Sequence, residues 1–104
     1  MTLQEFDAKL KNTFADTYED AAPKGLQRYV CWHRYNRSSV HGDDRNQVDL
    51  PKIQIDIITN LYHDTLADDI CVALWLMDLS YSVISEGYDD EYSAFRTILQ
   101  LVVI

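Results

Sequence analysis

Residues 50 to 104 constrain this chain most, because they read as strand, helix, strand, strand. Leu50-Pro51-Lys52-Ile53-Gln54-Ile55-Asp56-Ile57-Ile58 places isoleucines at period two, the spacing by which a strand offers one face to a core. Pro51 suits the start of that strand or a sheet edge. An apolar helix is expected from about Thr65 to Leu79, capped by Asp64 or Thr65, with Asp68 and Asp69 near its positive end. Tyr81-Ser82-Val83-Ile84 reads as a strand, Glu86 to Glu91 as an acidic turn, and Tyr92 to Ile104 as a long final strand. The apolar end of that last segment points to a central or covered position.

The first half carries a second helix and another strand. Thr2-Leu3-Gln4-Glu5 has the capping-box form, and Leu3, Phe6, Leu10 and Phe14 recur on one helical face. Ala21-Ala22-Pro23-Lys24-Gly25 is expected to end this helix. Leu26 to Tyr35 reads as a strand, with Tyr29, Cys31, His33 and Tyr35 on one side and Arg28, Val30, Trp32 and Arg34 on the other. Which side faces inward stays open. Asn36 to Asp49 is a polar connection longer than the usual ~4–6 residues, a length associated with function or disorder. The expected order is therefore α-β-β-α-β-β in one domain of 104 residues, of fold class α+β.

The helix at 65–79 has an unusual back. Leu66, Ile70, Ala73, Leu74 and Met77 make its core stripe, while Val72, Trp75, Leu76 and Leu79 fall on the opposite side. A helix apolar all round is buried all round, and a domain this small has little with which to cover both faces. Either the first helix packs beside it or another subunit does. Val72, Trp75, Leu76 and Leu79 are thus candidate interface residues, with Trp75 the first to test.

Charge is uneven. The net charge of −8 divides into −1 over residues 1–63 and −7 over residues 64–104, where Arg96 is the lone cation. Such a surface disfavours tight, sequence-independent binding to nucleic acid. No apolar run approaches the ~20 residues of a membrane-spanning helix, and the start lacks signal-peptide form, so an intracellular product is expected. Cys31 and Cys71 show no Cys-x-x-Cys spacing and read as free buried thiols, although sequence leaves a disulfide open.

Catalytic equipment is hard to assemble. The three glycines fall in expected turns, with no phosphate-binding loop among them. Cys31 and His33 share a strand face, yet zinc needs three or four ligands, and His63 or Asp64 would have to be borrowed. The acidic turn lacks the alternation of a calcium loop. Neither cysteine sits in an activating setting. The expectation is a non-enzyme without a cofactor or bound metal.

Tyr29-Val30-Cys31-Trp32, Gly42-Asp43-Asp44-Arg45-Asn46 and Lys52 through Thr59, followed by the 65–79 helix and Glu86 through Arg96, carry a resemblance. Over most of residues 26 to 104 the chain resembles the tail-terminator and tail-completion (head–tail joining) proteins of long-tailed bacteriophages and prophages. The match is one of strands and turns, without catalytic residues. The resemblance implies an antiparallel four-stranded sheet with two helices packed on it. It further implies a hexameric ring that caps the tail tube, ends its polymerisation and presents a surface for head joining. Implied partners are further copies of the chain, the major tail tube protein and the head-completion or connector protein. DNA would pass through the ring without specific binding, no membrane would be involved, and the site would be the tail–head junction of the virion after assembly in the bacterial cytoplasm. On this reading Arg37, His41, Asp43, Asp44 and Arg45 form a tube- or neighbour-contacting loop. Glu86, Asp89, Asp90 and Glu91 form an acidic turn toward the lumen or solvent. The alternatives are a small acidic inhibitor or regulatory module that binds a basic protein surface, and the adjacent connector protein.

Overall fold

Ile53, Ile55 and Ile57 all point to one side of the middle strand of a sheet, and both helices lie on that side. The computed structural model describes residues 1–35 and 50–103. Its elements are α1 (Leu3–Thr13), β1 (Thr17–Glu19), β2 (Arg28–Arg34), β3 (Lys52–Thr59), α2 (Leu66–Leu76), β4 (Tyr81–Asp89) and β5 (Ala94–Val102). The strands form one five-stranded sheet in the order β1-β2-β3-β5-β4. β1 runs parallel to β2, and the remaining pairs are antiparallel.

Two expectations are corrected here. The sheet has five strands and is mixed, where four antiparallel strands were expected, and the order becomes α-β-β-β-α-β-β. The cause is the early end of α1. Thr13 closes the helix, Phe14 turns extended, and Thr17 is fully buried with its hydroxyl donating to the Phe14 carbonyl at 2.6 Å. The chain then pairs along β2, where the Val30 amide donates to the Asp16 carbonyl and the Asp20 amide to the Trp32 carbonyl. Residues 21–25 therefore follow a strand and do not end the helix.

The α1 cap forms as read: Thr2 accepts from the Glu5 amide at 3.1 Å, and Glu5 accepts from the Thr2 amide at 3.2 Å. Phe6 and Leu10 are fully buried, and Leu3 and Phe14 pack at the margin. On β2 the inward side is that of Val30 and Trp32. The Trp32 ring meets Phe6 edge-on at 5.4 Å, and its indole N–H donates to Asp7 at 2.9 Å. That bond satisfies the one polar atom of the largest core side chain. Ile55 lies opposite Leu99 and Ile53 opposite Leu101, and Leu66, Ile70 and Leu74 of α2 cover them. β5 is an interior strand, as its apolar end suggested.

Candidate functional site

The placement of α2 begins at Asp64. Its carboxylate accepts from Arg28 Nε at 2.6 Å and Nη2 at 2.9 Å, from Thr59 Oγ1 at 2.5 Å, and from the Leu66 amide at 3.0 Å. One side chain, 5 % exposed, thereby ties β2, β3 and the first turn of α2 together. The Arg28 fork, followed by the Thr59 hydroxyl and the Leu66 amide, holds this carboxyl well below the usual carboxylate range against the opposing effect of burial.

The other end of α2 stops in a Schellman turn. The Leu79 amide donates to the Leu74 carbonyl and the Asp78 amide to the Trp75 carbonyl, with Asp78 left-handed at φ 61°. Leu79 is folded back into the core at 5 % exposure. The expected interface role of Leu79 is therefore corrected: the helix ends at Leu76, and the residue joins the core after the turn. The other three candidates stay outside. Val72 is 56 %, Trp75 74 % and Leu76 71 % exposed. Together they form an apolar outer face on α2 that α1 does not cover. Exposed apolar patches of this kind mark interaction surfaces more often than chance placement does.

A second exposed surface borders this face. β4 continues through Asp89, so Glu86 and Asp89 belong to a strand, and the acidic turn is confined to its Asp90 and Glu91 end. Asp89 is occupied locally: it accepts from the Glu91 and Tyr92 amides and meets Arg96 at 3.4 Å. Tyr81, Val83, Ile84 and Tyr88 are all exposed along β4. The neighbouring Cys71 side chain of α2 raises the pKa of the Tyr81 hydroxyl. Sequence reading missed this surface because it ended the strand at Ile84. The signal available was Tyr88, apolar and β-prone beyond Gly87.

The sheet face away from the helices mixes polar and apolar side chains. Arg96 pairs with Asp56 at 2.9 Å and lies 4.6 Å over the Tyr92 ring. Cys31 faces this side, and burial, then Asp56 and Asp20, push its thiol pKa up, so the nucleophilic thiolate is disfavoured. Asp64, on the helix side and engaged by Arg28, is not available to Cys31 and His33. Cys31 and Cys71 are free thiols on opposite sides of the sheet. Among the described residues no three His, Cys, Asp or Glu side chains come together as a metal-ligand set. No described helix is long and apolar enough to cross a membrane. Arg37, His41, Asp43, Asp44 and Arg45 lie outside the described residues.

Comparison with protein-family models, with curated proteins and with solved structures returned no match to this chain.

Proposed function

We propose that the protein is a virion structural subunit that acts by assembly, forming a ring at the end of a phage tail tube. There it halts polymerisation and offers the surface to which the head joins. The observation that carries the assembly reading is the outer face of α2, where Val72, Trp75 and Leu76 remain in water although a single chain folds compactly beneath them. A closed ring needs two different patches per subunit, and this face supplies one. The kind of assembly is taken from the resemblance, read in the sequence over most of residues 26 to 104, to tail-terminator and head–tail joining proteins. The acidic excess of residues 64–104 suits a ring through which DNA slides without adhering.

Electron microscopy of particles from a phage lacking this chain tests the proposal. Overlong, headless tails are the expected result; tails of normal length that fail to join heads would place the protein at the adjacent connector. Normal virions would overturn the proposal. The same acidic excess also favours a second reading, a module that binds a basic protein surface. Binding that collapses with salt, with no effect on tails, would select it.

A further inference from the structure

β4 ends the sheet order, and among the described residues no strand lies on its outer side. An exposed edge is a row of backbone donors and acceptors, which proteins ordinarily blunt by shortness, proline or cover. β4 has nine residues, none of them proline. Its one interruption is the bulge at Ile84, between the Val83–Leu99 and Ser85–Ile98 pairs. Beyond it, Ser85 to Asp89 forms an unbroken run about 17 Å long.

The bulge also decides which side chains share a face. Tyr81, Val83, Glu86 and Tyr88 stand opposite Leu101, Leu99, Thr97 and Phe95, hence on the helix side. The helices bury Leu99 and Leu101 but leave Val83 and Tyr88 more than half exposed. Shallow clefts of about 420, 310 and 340 Å³ border the strand along its length. Glu86 and Asp68 line the same cleft, while Arg96, the nearest cation in sequence, points to the other face and is engaged by Asp56 and Asp89.

From this edge we infer that β4 receives an extended segment of a different protein as a sixth strand. The segment places apolar side chains against Val83 and Tyr88 and a lysine or arginine against Glu86. Charge disfavours the two edge-to-edge pairings that the described strands of a second copy offer. β4 against β4 brings two copies of Glu86 onto one face, and β4 against β1 sets it near Asp16, Glu19 and Asp20. Like charges across strands are destabilising, so the occupant is basic where this chain is acidic. Strand addition of this kind takes affinity from the backbone and specificity from alternate side chains. The inference does not depend on the ring, whose proposed contact is the outer face of α2.

The test is backbone-amide NMR of the full chain titrated with a capped seven-residue peptide of alternating threonine and valine carrying lysine at its centre. The peptide reads the same in both directions, so strand orientation does not matter. Amides of Ser85 to Asp89 are expected to shift and saturate. A glutamate-centred peptide should bind about fivefold more weakly or worse, and Glu86→Lys should reverse that preference. The lysine peptide N-methylated along its backbone should not bind at all, an arm that needs no variant. Shifts that avoid β4, equal binding of the N-methylated peptide, or an unchanged preference in Glu86→Lys would each overturn the inference.

Discussion

Asp64 joins four donors from three separated stretches of chain, so its removal is felt in more than one element. Asp64→Asn keeps the shape but removes the charge that faces Arg28. We expect a loss of about 1–3 kcal/mol at neutral pH, read by chemical denaturation. The sign with pH follows from the depressed carboxyl. Its stabilisation is complete above the unfolded carboxylate range, near pH 4, and is lost as pH falls through the lower folded value. Wild type and Asp64→Asn should therefore converge in stability below about pH 4. Curves that stay parallel well below pH 4 would show that the charge does not hold the fold. At the opposite end of α2, Asp78 occupies a left-handed position that glycine adopts without steric cost. Asp78→Gly is expected to stabilise by about 0.5–1 kcal/mol in the same assay. The sequence pattern assigned Leu79 to the outer helical face because helical angles were extended past the point where Asp78 reverses the chain. A non-glycine residue in the turn concealed the stop.

Periodic elements were legible, and elements held by distant partners were not. The Thr2/Glu5 cap, the isoleucine face of β3 and the core stripe of α2 were all readable, since each rests on a local pattern. β1 has three residues and exists through parallel pairing with β2, so period-two alternation had too little length to register. β4 was cut short at Ile84 because a bulge breaks the alternation there. The outer face of α2 was named from the sequence, but the choice between α1 and water beside Val72, Trp75 and Leu76 needed the fold. Trp75→Asp should leave stability within about 0.5 kcal/mol, as for other exposed positions. It should cost about 2 kcal/mol or more in any contact made by this face. Thermal unfolding beside a concentration series in size-exclusion chromatography separates the two effects. A Trp75→Asp chain that unfolds far below wild type would place the residue in the fold and not at a contact.

The whole molecule is electrically lopsided: residues 64–104 hold −7 of the net charge of −8. Apolar and acidic surfaces thus adjoin, which suits subunits that meet through grease at one patch while presenting negative charge elsewhere. The broad α+β class and helix count were readable from the sequence at this scale; strand number and the parallel edge were not. Sedimentation equilibrium of the full chain addresses the assembly claim most directly. The account predicts a species about six times the 12.1 kDa subunit mass, reduced to single subunits by Trp75→Asp. A wild-type chain that stays at one subunit mass as its concentration rises, indistinguishable from Trp75→Asp, would contradict it.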